Sequence, residues 1–307
     1  MNPETINVNL HGHLLPDFGG WWKKQCGIEG QNLAKVVTDK CIEKMLDICT
    51  VTDNPNFWKS ARTSRFNYMF DYARALKKED SSYKLGKLGE SDNAFVVEKN
   101  GKQVYFLDGQ SLTIRGEESF ELLTFGRSGI KDFSSLDEAF TYLKGEGLPA
   151  IAEHALVEVH YGAMNEKFLE ELCSSKRLTT VEYNAKISLK KIFSLLPKFK
   201  GYTRERNEKA VEIARRCKTP VVANDDSNEI NQIATAYSIF PKAKIRTSNG
   251  EAMTQDLIKA IQDNDFSIFP GYLPTSEWMK FVIWHLTIKQ KILGCKKRYE
   301  VKYELGD

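Results

Sequence analysis

The stretch INVNLHGH, residues 6–13, decides how the rest of the chain is read. Ile6, Val8 and Leu10 alternate with Asn7 and Asn9, the period-two pattern of a strand. The pattern then stops at His11-Gly12-His13. On an extended segment residues two apart point the same way, so both imidazoles project together from a strand end. Working outward, short apolar runs at residues 48–52, 104–107, 112–114, 122–125, 150–152, 180–183 and 220–223 read as further strands. Helical spacing fills residues 33–47, 56–78, 134–144, 165–174, 207–217 and 255–262. Asn100-Gly101 between two apolar runs is a hairpin signal. Strands alternating with helices predict an α/β fold with a parallel sheet or barrel.

In parallel α/β folds the chemistry sits at the carboxyl ends of the strands. Those ends read His11-Gly12-His13, Thr52-Asp53-Asn54, Gly116-Glu117-Glu118, Glu153-His154, Glu182-Tyr183-Asn184 and Asn224-Asp225-Asp226. Taken singly, each is ordinary: an isolated HxH is often two surface histidines, and Asp225-Asp226 would cap a helix. Six ends carrying imidazole or acidic groups together point to a divalent-metal site. Imidazole with carboxylate suits Zn, Mn or Fe and leaves positions open for substrate.

The 307 residues suffice for one large domain or two small ones, and 41% hydrophobic residues can bury a sizeable core. A net charge of +3 does not demand nucleic acid as a partner. The six cysteines are scattered without a CxxC spacing, which argues for buried thiols rather than disulfides or a zinc knuckle. No signal peptide and no membrane-length apolar run is read in the sequence, so the expected location is cytoplasmic and no membrane partner is expected. Residues 77–93 are polar and rich in Gly and Ser, and are expected to form a mobile insertion. Residues 277–304 carry aromatics at helical spacing and are expected to form an extension.

The order of these motifs resembles the PHP family, the polymerase and histidinol phosphatase group of metal phosphoesterases. The resemblance covers residues 8–260. His11-Gly12-His13 resembles the family's opening HxH, residues 50–54 its TDH motif, and Arg115-Gly116-Glu117 its PGxE motif. Residues 152–155 resemble AHP, 181–185 the segment ending in YNA, 221–228 SDAH, and 254–261 the family's late helix. The resemblance implies a distorted (β/α)7 PHP-type barrel over residues 1–270, with 271–307 packed on it. It implies one metal held by His11, His13, Glu117 and Asp226, and a second by Glu117, His154 and Glu121, with Glu117 as the bridge. Asn54 and Asn228 stand where the family has histidines for a third metal, and Asp17 is offset by one from its acidic position. The resemblance therefore implies one or two divalent ions, with the third position degenerate.

Two functions follow from the resemblance. The first is a metal-dependent phosphoesterase hydrolysing a small phosphomonoester, a nucleotide or an oligonucleotide end, with nucleic acid as a possible substrate. Glu117, Asp226 and His154 would be catalytic. Lys59, Arg62 and Arg65, three residues apart on an expected helix, would hold the phosphate. The second is a catalytically reduced PHP-like protein that binds metal or nucleotide.

Overall fold

A computed structural model of the chain describes residues 4–13, 30–53, 64–90, 92–114, 120–157, 164–185, 204–227 and 232–272. β1 (Thr5–Asn9) runs parallel to β2 (Ile48–Asp53), and β2 parallel to the long β5 (Lys102–Ile114). Further round, β7 (Ile151–Ala152), β8 (Thr180–Asn184) and β9 (Val221–Asn224) are parallel to one another. Between β5 and β7 stands β6 (Phe120–Phe125), antiparallel to both. β9 comes back to β1 through a parallel bridge between Gly12 and Ser227, and Asp226 N donates to His11 O at 3.0 Å. The sheet is therefore a nearly closed barrel.

Beyond this ring, β10 (Tyr237–Pro241) pairs antiparallel with β1, and β11 (Ser267–Phe269) with β10. A hairpin of β3 (Tyr83–Lys87) and β4 (Ala94–Lys99) is added to the edge of β5. Asn100 and Gly101, at φ 53° and 75°, make its turn to β5, as the sequence signal requires. Six α-helices are described: α1 (Gly30–Glu43), α2 (Arg65–Glu79), α3 (Leu136–Gly145), α4 (Glu166–Ser174), α5 (Arg204–Arg216) and α6 (Gly250–Gln262). Ser64, Ser135, Asn165 and Asn249 cap α2, α3, α4 and α6 by accepting from the backbone N–H three residues on.

Strand alternation divides the core. Val8, Ile48, Leu107, Phe125, Ile151 and Val222 join one cluster with Met253, Leu257, Ile258 and Ile261 of α6. Their neighbours point the other way: Cys49, Val51 and Phe106 pack under α1 and α2, and Val181, Val221 and Ala223 under the helices of the second half. Gly109 lets β5 pass close to its neighbours, since a Cβ there would lie 2.4 Å from Thr50 Cγ2.

Several expectations need correction. The helix expected over residues 56–78 starts at Arg65, because Ser64 is extended and caps it. The polar stretch at 77–93 contains the end of α2 and strand β3. The two short strands expected at 104–107 and 112–114 are one strand of 13 residues. The apolar pattern of the sequence shows neither the reversal of β6 nor the pairing of β10 and β11. Apart from Gly271 and Tyr272, the expected extension at 271–307 lies outside the described residues, as do Asp17, Asn54, Lys59, Arg62, Glu117 and Asn228. Among the described residues, no helix is long and apolar enough to cross a membrane.

Candidate metal centre

At the end of the barrel reached by the carboxyl ends of β1, β7, β8 and β9, the alternating positions become polar. Gly12 is wedged between two neighbouring segments: its N–H donates to Thr52 Oγ1 at 3.2 Å and its carbonyl accepts from Thr52 N at 2.9 Å. A Cβ on Gly12 would stand 3.1 Å from Thr50 O and 3.4 Å from Ser227 Oγ, tight contacts that explain a glycine between the two histidines. His11, His13, Glu153, His154, Glu182 and Asp226 are all buried here. Glu121 joins them from the amino-terminal end of β6, because the reversal of that strand brings its start to the carboxyl ends of its neighbours.

The distances describe a cage. His11 Nε2 lies 3.1 Å from His13 Nε2, 3.4 Å from Glu153 Oε1 and 3.6 Å from Asp226 Oδ1. Asp226 Oδ1 is also 3.7 Å from His13 Nε2. With metal–ligand bonds of about 2.1 Å, adjacent ligand atoms stand about 3.0 Å apart in an octahedron and about 3.4 Å in a tetrahedron. The observed spacings, 3.1–3.7 Å, start just above the octahedral value and enclose the tetrahedral one. On the other flank His154 Nε2 lies 3.0 Å from Glu153 Oε1 and 3.6 Å from Asp226 Oδ2. Three sets of side chains have ligand atoms within 4.8 Å of one another: His11, His13 and Glu153; Glu121, Glu153 and His154; and His11, His154 and Glu182. Glu153 belongs to two of them.

Each group is oriented from behind. His11 Nδ1 faces Glu182 Oε1 at 2.7 Å, and His13 Nδ1 faces Thr52 O at 3.0 Å. Ser111 Oγ donates to Glu153 Oε2 at 2.6 Å, leaving Oε1 toward the histidines. The backbone is also unusual. His154 and Asp226 have φ of 35° and 47°, left-handed values that cost a non-glycine residue roughly 1 kcal/mol or more. The positive-φ residues Met45, Lys176, Lys218 and Asn264 each follow a helix end, whereas these two follow strands and carry the cluster's side chains.

Charge is concentrated as well. Burial pushes the His11 imidazolium down, but Glu182, Glu153 and Asp226 outweigh it and raise it to about 9. Burial likewise lowers His154, and Glu153 and Asp226 more than reverse it. Glu121 is pushed up to about 8 by burial and by Glu153. Four buried carboxylates around three imidazoles is an expensive arrangement without a compensating cation. His154 Nδ1 is buried with no hydrogen-bond partner among the described residues. The donor set and its spacing fit a hard or borderline divalent ion.

The structure thus brings His11, His13, Glu121, His154 and Asp226 together. It adds Glu153 and Glu182, which the sequence displayed at strand ends but did not single out as ligands. Their signal was the period-two rule, which turns Glu182 to the same side as Thr180 and Asn184. Arg65, expected on an open basic helix face, is not exposed. It is fully buried at the start of α2, with Nη1 3.0 Å from His13 Nδ1 and donating to Thr52 O at 3.1 Å.

No family model matches the chain, and no curated protein matches it. Among solved structures, PsfC from Pseudomonas syringae is 13% identical with a TM-score of 0.52, over 94% of this chain and 99% of that one. Endonuclease Q from Pyrococcus furiosus is 12% identical with a TM-score of 0.45, over 86% of this chain. A two-domain protein from Bacteroides vulgatus containing a predicted PHP-like metal-dependent phosphoesterase is 12% identical with a TM-score of 0.49, over 87% of this chain. This chain spans 57% of the length of the endonuclease Q chain and 65% of the Bacteroides chain. Likeness at these identities concerns the fold alone.

Proposed function

We propose that this chain is a metal-dependent phosphoesterase with a distorted (β/α)7 PHP-type barrel. The observation that carries the reading is the convergence of His11 Nε2, His13 Nε2, Glu153 Oε1 and Asp226 Oδ1 at separations of 3.1–3.7 Å. His11, His13, Glu153 and Asp226 would hold one divalent cation, Mn, Zn or Fe. Glu121, Glu153 and His154 would hold a second. Such ions, when bound, supply Lewis-acid charge to a phosphoryl group and lower the pKa of water.

The chain's own groups set the geometry. Glu153 is the bridging carboxylate in this reading, since its Oε1 lies 3.4 Å from His11 Nε2 and 3.0 Å from His154 Nε2, and Ser111 fixes which of its oxygens faces the histidines. Glu117, assigned the bridge from the resemblance, keeps a ligand role in this reading alongside Glu153. Asp226 spans the two halves, with Oδ1 toward His11 and His13 and Oδ2 toward His154. Lys59 and Arg62 remain the candidates for holding substrate phosphate, whereas Arg65 donates to Thr52 O, the carbonyl that His13 Nδ1 faces. The substrate class is a phosphate ester: a small monoester, a nucleotide or an oligonucleotide end.

The test is metal analysis together with a substrate panel on one preparation. After loading with Zn or Mn, one or two equivalents should bind. Hydrolysis of at least one phosphate ester should follow and vanish in Asp226→Asn. Bound metal without hydrolysis of any phosphate ester selects the alternative of a catalytically reduced binding protein. No bound metal refutes both.

A further inference from the structure

Glu182 is open to two incompatible readings. Its carboxylate lies in a set with His11 and His154 whose ligand atoms are within 4.8 Å, so it resembles a third metal ligand. Its hydrogen bonds say otherwise. Oε1 receives His11 Nδ1 at 2.7 Å and Asn224 Nδ2 at 3.2 Å. Oε2 receives the His154 backbone N–H at 3.1 Å and Asn184 Nδ2 at 3.1 Å. A carboxylate offers about four lone-pair sites, and here four donors occupy them. A cation would have to displace at least one donor and leave it buried and unpaired, which is unfavourable.

We infer that Glu182 is a positioning residue, and not a ligand: it holds His11 in the Nδ1–H form so that Nε2 points at the metal position. The inference rests on the metal-centre reading above. A carboxylate accepts only, so the ring nitrogen facing it must carry a proton. The opposite nitrogen, Nε2, is then the one whose lone pair a cation can take, and it faces His13, Glu153 and Asp226, the side on which the cage lies. A carboxylate behind a ligating imidazole also raises its basicity. The same carboxylate anchors His154 through its backbone, so one buried anion sets the attitude of two histidines that follow different strands. Asn184 extends the effect, because its amide reaches Asp226 Oδ2 at 3.4 Å as well as Glu182. Asn224 ties the carboxylate to β1, since its Oδ1 accepts from Leu10 N at 2.8 Å.

The experiment titrates Zn into metal-free wild type, Glu182→Gln and Glu182→Ala, with circular dichroism as the fold check and ring-15N NMR of the histidines. An amide oxygen still accepts from Nδ1–H, whereas alanine offers nothing. The expected stoichiometry is the same in all three proteins, with affinity about tenfold weaker in Gln and about a hundredfold weaker in Ala. His11 should carry its proton on Nδ1 and Zn on Nε2. Loss of a whole equivalent in both variants, or Zn on His11 Nδ1, makes Glu182 a ligand and overturns the inference. Should the alanine variant not fold, the Gln titration and the wild-type NMR decide alone. A wild type that binds no Zn refutes the proposed function instead. A bare His11 Nδ1 in the metal-free wild type overturns the Glu182 assignment independently of any metal.

Discussion

The two ends of the barrel interior are built from the same strands and have opposite chemistry. Toward the amino ends, Val8, Ile48, Leu107, Phe125, Ile151 and Val222 meet α6 in an apolar plug. A few residues further along, the interior becomes His11, His13, Glu153, Glu182 and Asp226. Two residues of travel suffice: Ile151 is apolar and Glu153 is not, and Val222 gives way to Asn224 and then Asp226. The alternation that faces a side chain inward is indifferent to what that side chain is. The barrel can therefore store its stability at one end and hold a costly concentration of charge at the other.

The largest expected effect tests the apolar end. Phe125→Ala removes a fully buried ring from the plug and should cost about 3–5 kcal/mol. Chemical denaturation in EDTA measures it. Metal stoichiometry of the folded protein should be unchanged, and a fall in bound metal would show that the two ends are not separable.

Next comes pH. His11 is raised in the folded protein to about 9, so the folded state of the metal-free protein binds this proton more tightly than the unfolded chain. That stabilisation is fully present below the unfolded value of about 6.5 and is lost as pH climbs through about 9. Glu121, raised to about 8, adds a penalty of the same sign as it is forced to ionise. Metal-free protein should therefore melt lower at pH 9 than at pH 6.5, since both groups shift stability in the same direction over that window. With Zn the slope should reverse, because the ion takes only deprotonated ligands. Melting curves at several pH values, with EDTA and with Zn, compare the two slopes. Equal slopes in both conditions would place the titrating groups outside the metal centre.

The smallest stability effect carries the largest functional one. Glu153→Gln should change metal-free stability by less than about 1 kcal/mol, since lost attraction to His11 and His154 is offset by lost repulsion from Glu121. It should nevertheless remove tight binding at both metal positions. Zn titration paired with an EDTA melt sees both halves of the claim. A variant that still binds Zn as wild type does would unseat Glu153 as the bridge.

Much of the polar end was legible in the sequence. HGH after an alternating strand, Glu153-His154 and Asp226 announced themselves by residue type and by place at strand ends. What was hidden depended on tertiary pairing. The reversal of β6 leaves no local mark on its apolar residues, yet it is what carries Glu121 into the cluster. β11, three residues long, is too short to show a period. Arg65 sat in a helical pattern that reads straight through Ser64, and only the cap shows where the helix starts. Glu182 was visible as a strand-end acid, but its four donors come from β8, β9 and the turns that follow β1 and β7, which no local pattern connects.

The central claim is that a divalent cation sits between His11, His13, Glu153 and Asp226. Anomalous diffraction from crystals loaded with Zn tests it most directly. The expected result is a peak about 2.0–2.2 Å from His11 Nε2 and His13 Nε2, with carboxylate oxygens of Glu153 and Asp226 at similar distance. Loaded crystals with no peak inside this cage, or with Zn bound only elsewhere on the protein, would contradict the account.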